Sequence, residues 1–115
     1  MTTTTIGLER VGSAALLRIG GDVTTASDDE LTSAFGAAID DGATAVILDF
    51  SGMEYMNSGG IGLLVTLLVR AQRSGVRLLA TGLSDHYRQI LSLTRLDEAI
   101  EIQPDEATAL AAVAR

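Results

Sequence analysis

The sequence feature that most constrains the fold is a largely apolar run over residues 44–50, which leads into a polar, glycine-rich stretch and a second apolar segment. Such a run, without alternation of apolar and polar residues, is typical of a central parallel strand that is covered on both faces. The following segment, about residues 59–74, has the length and spacing of a helix and is followed by Gly75. Together they predict a buried β-strand followed by a helix that crosses over the sheet.

Strand-like and helix-like segments also alternate along the rest of the chain. Strands are predicted over residues 6–10, 15–19, 76–80 and 99–102, with a hairpin turn at Gly12 and Ser13 and an end of the second strand at Gly20-Gly21-Asp22. Three further helices are predicted. One ends at Gly42, one begins at Ser84, and a terminal helix has Pro104 in its first turn.

This alternation predicts an α/β fold with right-handed crossovers and a mostly parallel sheet. The initial hairpin makes the sheet mixed, with about four or five strands and about four helices. Because no linker, repeat or low-complexity segment divides the 115 residues, we expect a single domain over residues 1–115.

Composition excludes several classes of function. The net charge is −7 and all eight basic residues are arginines, so neither nucleic acid nor an anionic membrane surface is an expected partner. With no cysteine and His86 as the single histidine, we predict neither a metal site nor a cofactor. The apolar runs are too short to span a bilayer and the first residues do not resemble a signal peptide, which favours a cytoplasmic protein.

The stretch Asn57-Ser58-Gly59-Gly60 lies at the predicted carboxyl end of a parallel strand, where open α/β sheets bind their ligands. Either Asn57 or Ser58 is expected to cap the following helix, which contributes about 0.5–2 kcal/mol relative to alanine. A phosphate-binding loop is disfavoured because the chain has no lysine. A nucleophile elbow is disfavoured because Met56 stands where that motif needs glycine, and His86, predicted to be solvated, would be the only base. We therefore do not expect an enzyme.

The position of Ser58 instead predicts that its hydroxyl is presented to another protein. Gly62, Thr66 and Arg70 follow it at steps of four, which predicts one stripe along the helix. Leu63 and Val69 flank this stripe, and we expect either that they are partly exposed at a docking surface or that a neighbouring helix covers them. The residues expected to face the sheet are Leu64, Val65, Leu68 and Ala71.

The chain resembles the anti-anti-sigma factors, or anti-sigma factor antagonists, of the STAS domain family. The resemblance lies in residues 45–49 (AVILD) followed by residues 56–62 (MNSGGIG), in residues 21–23 (GDV) and in residues 88–96 (RQILSLTRL). It implies a STAS-like sheet and helices. The chain departs from the usual motifs at four positions, where Asn57 and Thr24 replace Asp, Gly59 replaces Ser or Thr, and Arg95 replaces Gly.

The resemblance also implies a function. Ser58 corresponds to the serine that accepts phosphate from a partner that is both anti-sigma factor and serine protein kinase. The unphosphorylated form binds this partner and frees the sigma factor, and a serine phosphatase of the metal-dependent class resets the switch. The alternative is a constitutive, non-phosphorylated STAS scaffold or a module that binds a small anion or nucleotide. We expect a monomer or weak dimer, and the predicted partner-binding residues are Asp22, Thr24, Asn57, Ser58, Gly59, Gly62, Leu63, Thr66 and Arg70.

Overall fold

The computed structural model describes residues 3–114 and contains one mixed sheet with helices on both faces. Within these residues the strands are β1 (Thr5–Val11), β2 (Ala14–Val23), β3 (Ala45–Met56), β4 (Arg77–Thr81) and β5 (Glu101–Ile102). The helices are α1 (Asp28–Asp40), α2 (Ser58–Ser74), α3 (Asp85–Leu93) and α4 (Glu106–Val113), with short 3₁₀ turns at Thr25–Ser27 and Leu96–Glu98.

The strands lie in sequence order, β1-β2-β3-β4-β5, with β1 antiparallel to β2 and the remaining pairs parallel. This arrangement confirms the predicted mixed, mostly parallel α/β fold. Alternate strand residues point to opposite faces, so the sheet has two apolar clusters. Leu17 and Leu48 pack in the larger cluster with residues of α1, α2 and α3, whereas Leu16 and Ile47 pack in a smaller one with Ala109 of α4.

The glycines placed at two predicted helix ends have the expected backbone conformation. Gly75 caps α2 with φ of 68°, and Gly42 follows the end of α1 with φ of 88°. Both values lie in the left-handed region that glycine adopts without steric cost. Pro104 differs from its prediction. It precedes Asp105, the N-cap of α4, and therefore lies outside the first helical turn, because the Asp105 carboxylate accepts the hydrogen bond from the Thr108 amide.

The largest difference from the predicted elements is the length of β2 and β3. Asp22 and its neighbours do not end the second strand, since β2 continues to Val23 and β3 continues to Met56. The two extensions pair with each other, through Gly20–Gly52 and onward to Val23–Met56, with two irregularities in register. Backbone pairing of this kind depends on the neighbouring strand rather than on apolar side chains, which is why the polar residues of this segment did not indicate a strand.

The short strand β5 pairs with β4 at the sheet edge, and an ion pair between the two strands adds to this contact. The Arg77 guanidinium donates hydrogen bonds to both carboxylate oxygens of Glu101, at 2.9 and 2.6 Å, and also contacts the Ala112 carbonyl oxygen of α4. These hydrogen bonds hold the pKa of the Glu101 carboxyl below its usual value. Among residues 3–114, no helix combines the length and the apolar character that are needed to cross a membrane.

Candidate functional site

The candidate site lies at the end of a two-stranded ribbon that extends past the rest of the sheet. The pairing of β3 with β4 ends at Asp49 and Thr81, whereas β3 remains paired with β2 as far as Met56 and Val23. The amide of Asn57 then donates to the Val23 carbonyl oxygen at 3.3 Å. The ribbon therefore carries the start of α2 away from β4 and places it beside the end of β2.

The cap of α2 is Asn57 rather than Ser58. Asn57 has extended backbone, with φ of −104° and ψ of −174°, and its side-chain oxygen accepts a hydrogen bond from the Gly60 amide at 3.0 Å. This confirms the expectation that one of the two residues caps the helix. Ser58 is the first residue of α2 and is exposed, and none of the hydrogen bonds found within residues 3–114 uses its hydroxyl. The Ser58 hydroxyl is therefore free of a structural role.

Two glycines allow α2 to begin close to the end of β2. A Cβ atom on Gly60 would lie 2.4 Å from the Val23 carbonyl oxygen and 2.7 Å from Met56 Cγ. A Cβ atom on Gly59 would lie 2.6 Å from Thr25 Cγ2 and 3.1 Å from the Thr25 amide nitrogen. The first turn of α2 therefore packs directly against β2 and the 3₁₀ turn after it.

The turn after β2 has its own local network of hydrogen bonds. The Thr24 hydroxyl accepts from the Ala26 amide, and the Thr24 amide donates to the buried Ser27 hydroxyl. Thr4 reaches the same turn and donates its hydroxyl proton to the Asp22 carbonyl oxygen at 2.6 Å. Asp22 and Thr24 are thereby held beside the Asn57 cap, both partly exposed.

The sequence model of the STAS domain family matches residues 5–109 of the chain. The chain belongs to the STAS domain family. This establishes the family resemblance inferred from the motifs around Ser58.

Solved structures with the same fold include two anti-sigma factor antagonists. One is from Mycobacterium paratuberculosis, with a TM-score of 0.85, 22% identity, and coverage of 98% of this chain and 96% of that chain. Another is the Bacillus cell fate determinant SpoIIAA in the phosphorylated form, with a TM-score of 0.74, 22% identity, and coverage of 95% and 99%. A sulfate transporter family protein from Wolinella succinogenes also matches, with a TM-score of 0.77, 20% identity, and coverage of 90% and 86%. These similarities show a shared fold.

The fold of this STAS domain brings most of the predicted partner-binding residues onto one surface. Asp22 and Thr24 lie beside Asn57, and Gly62 and Thr66 are exposed one and two turns along α2 from Ser58. The side chain of Thr66 donates to the Gly62 carbonyl oxygen at 3.1 Å. The residues that remain accessible or partly accessible are Asp22, Thr24, Asn57, Ser58, Gly59, Gly62, Thr66 and Arg70.

Arg70 is exposed, and its side chain contacts α1. Its guanidinium donates to the Thr32 carbonyl oxygen at 3.3 Å and lies over Gly36, where a Cβ atom would come within 2.7 Å of it. Residues four apart on a helix are offset by about 40°, so the stripe that starts at Ser58 turns toward α1 over three steps. Arg70 therefore lies at the border between α1 and α2 rather than in line with Ser58.

The predicted faces of α2 need two corrections. Leu63 is buried, with an exposed fraction of 7%, and belongs to the main apolar cluster, so its side chain is not on the surface. Val65 was expected to face the sheet but is 41% exposed, as is Val69. Leu64, Leu67 and Ala71 are buried on the sheet-facing side and Leu68 is partly buried against the same cluster, because a single sheet face covers only a narrow stripe of a straight helix. Exposed valines therefore continue the surface beside Gly62.

Sequence reasoning missed Tyr87. Its hydroxyl accepts a hydrogen bond from the Met56 amide at 2.9 Å, although the two residues are 31 positions apart. Tyr87 lies in the helix that is predicted to begin at Ser84, and no spacing in the sequence connects it to Met56. His86 next to it is exposed, as expected, and among residues 3–114 no cluster of His, Asp and Glu has the arrangement of a metal site.

The close contact between Gly59 and Thr25 offers a testable reason why glycine stands at position 59, where the usual motif has Ser or Thr. We expect Gly59→Ser to lower the free energy of unfolding by about 1–2 kcal/mol, because its Cβ atom would overlap the Thr25 methyl group. Thr25→Ala in the same chain should recover much of that loss. Thermal melts of both single variants and the double variant give the coupling energy. Independent, additive effects of the two changes would contradict this account.

Proposed function

We propose that this STAS domain is an anti-sigma factor antagonist that is controlled by phosphorylation of Ser58. Its unphosphorylated form binds an anti-sigma factor that is also a serine protein kinase and so releases the sigma factor. The observation that carries the proposal is the division of roles at the start of α2, where Asn57 caps the helix and leaves the Ser58 hydroxyl exposed, with no hydrogen bond to any group in residues 3–114. A hydroxyl with no structural role can be modified without loss of the fold.

A phosphate on Ser58 would be compatible with the folded domain. Phosphorylation adds roughly −1.5 to −2 charges and three acceptor oxygens. Because Ser58 is the first residue of the 17-residue helix α2, the helix dipole stabilises this charge by about 0.3–1 kcal/mol. We therefore expect phosphorylation to weaken binding of the partner by adding bulk and charge at the contact, without unfolding α2.

The docking surface that we propose consists of Ser58, Gly62 and Thr66 on α2, with Asp22, Thr24 and Asn57 beside them. Small side chains at positions 58, 62 and 66 let a partner approach the helix closely, and the exposed Val65 and Val69 add apolar contact area. Leu63 is not part of this surface, since its side chain is buried. A serine phosphatase of the metal-dependent class would reset the switch, and the protein would act in the cytoplasm as a monomer or weak dimer.

The proposal is tested by incubating the purified protein with ATP, Mg²⁺ and the anti-sigma factor kinase encoded nearest to its gene. We expect one added phosphoryl group by intact-mass spectrometry, located at Ser58 by peptide mapping. Ser58→Ala should take up none, whereas Ser74→Ala, an exposed serine at the other end of α2, should be phosphorylated like wild type. No uptake by wild type, together with unchanged binding in the presence and absence of ATP, would favour the constitutive scaffold instead.

A further inference from the structure

The end of β3 lacks a strand partner on the side where β4 has already ended. The last β3–β4 pair among the described residues is Asp49 and Thr81, so later β3 amides on this side are not paired with β4, and the Ser51 amide bonds to the Asp49 carboxylate instead. Successive strand amides point in opposite directions. Because the Asn57 amide bonds to Val23 of β2, the Met56 amide points to the open side. A different group has to satisfy this amide.

That group is the hydroxyl of Tyr87. The Met56 amide donates to it at 2.9 Å, in a partly buried position. Tyr87 lies in the first turn of α3, and its ring packs against the main apolar cluster and makes a T-shaped contact with the His86 ring at a centroid distance of 5.0 Å. The ring is held by this packing, so its hydroxyl is a fixed acceptor and takes the place of a strand at this point.

The bond lies next to the phosphorylation site along the chain. Met56 is followed by Asn57, whose side chain caps α2, and then by Ser58. The Met56 amide plane is fixed by Tyr87 on one side, and the Asn57 amide is fixed by Val23 on the other. These two opposed hydrogen bonds fix the direction in which the chain enters α2, and so the position of the Ser58 backbone from which its hydroxyl projects.

We propose that Tyr87 is a positioning residue for phosphoryl transfer to Ser58. It acts through the Met56 amide and does not itself contact the phosphate or the kinase. This inference rests on the function proposed above. Phosphoryl transfer requires the attacking oxygen to be in line with the leaving group, and a displacement of about 1 Å can lower a rate by roughly a hundredfold. If the Met56–Tyr87 hydrogen bond is lost, the start of α2 is held less firmly, and phosphorylation of Ser58 should slow more than binding of the kinase weakens.

The test compares Tyr87→Phe with Tyr55→Phe in the full chain. Each change removes one hydroxyl and keeps the ring. Tyr55, next to Met56, is the other of the chain's two tyrosines and is 49% exposed. In Tyr87→Phe we expect amide hydrogen exchange at Met56 to become about two- to tenfold faster, the range that corresponds to one hydrogen bond. Phosphorylation should slow at least threefold while the Kd for the kinase, measured without ATP, changes less than twofold. Tyr55→Phe should match wild type in all three measurements.

The outcomes separate this inference from the function on which it rests. A wild-type protein that takes up no phosphate would overturn both. A phosphorylated wild type with an unchanged rate in Tyr87→Phe would overturn the positioning role alone, even if exchange at Met56 became faster. Equal losses of rate and of affinity would also overturn it, because they would indicate a general disturbance of the docking surface. A slower rate with preserved affinity and faster exchange at Met56 is the result that supports it.

Discussion

Gly60→Ala should be among the most destabilising single-methyl additions in this domain. The new Cβ atom would lie 2.4 Å from the Val23 carbonyl oxygen, a backbone atom that cannot turn away as a side chain does. That carbonyl also accepts the Asn57 amide, and Val23 is paired with Met56, so β2 cannot move without breaking the ribbon. Overpacking of this kind costs about 1–3 kcal/mol and occasionally more, and we expect the upper end. The melting temperature should fall by roughly 10 °C.

Gly62→Ala is the matched control for this prediction. It adds the same methyl group two residues further along α2, at an exposed position where a Cβ atom meets nothing within 4 Å. Because alanine favours a helix over glycine by about 0.8–1 kcal/mol, this variant should melt at or above the wild-type temperature. Equal melting temperatures for the two variants would contradict the close approach of Gly60 to the Val23 carbonyl oxygen.

Ser58→Glu should have the largest effect on partner binding. The longer, charged side chain would project from the centre of the proposed docking surface, and a charge without a partner at a desolvated contact costs several kcal/mol. We expect the Kd for the kinase to rise at least tenfold, which is equivalent to about 1.4 kcal/mol. The melting temperature should stay within a few degrees of wild type, because a negative charge at the first residue of α2 is favourable.

Two further variants make this result specific. Ser58→Ala should bind the kinase like wild type, since it adds neither bulk nor charge and Asn57 still caps the helix. Ser74→Glu should also bind like wild type, because it adds the same charge at the far end of α2. Isothermal titration calorimetry on the four proteins distinguishes the two functions. Wild-type affinity in Ser58→Glu would remove the switch and leave the constitutive scaffold.

Local signals in the sequence were sufficient for much of the site. The pair Asn57-Ser58 and Gly75 mark the two ends of α2, and the structure confirms that one of the pair caps its start and that Gly75 caps its end. Caps of this kind depend on hydrogen bonds and backbone conformations that span only a few residues, so the chain specifies them without help from distant segments. The alternation of strands and helices was predictable for the same reason. It determined the α/β class, the parallel crossovers and the position of Ser58 after a buried strand.

Contacts between distant segments could not be predicted in the same way. Leu63 and Val65 are both apolar residues of one helix, and which of them is buried depends on how α2 is rotated against the sheet and α1. The extension of β3 to Met56 depends on pairing with β2, and the acceptor for the Met56 amide comes from Tyr87 on another helix. None of these follows from a periodicity, because the partners are far apart in the chain.

The sequence by itself therefore determined which elements form, the two ends of α2, and that a small polar residue opens this helix after the central strand, whereas the far ends of β2 and β3 depended on their pairing with each other. Only the tertiary structure decided which of the two neighbouring side chains caps the helix and which stays exposed. Asn57 and Ser58 are both good capping residues, and the Asn57 amide bond to Val23, together with the close fit of Gly60, brings the Asn57 side chain onto the helix end. Ser58 is then left exposed because its neighbour satisfies the helix and the ribbon fixes the direction of entry.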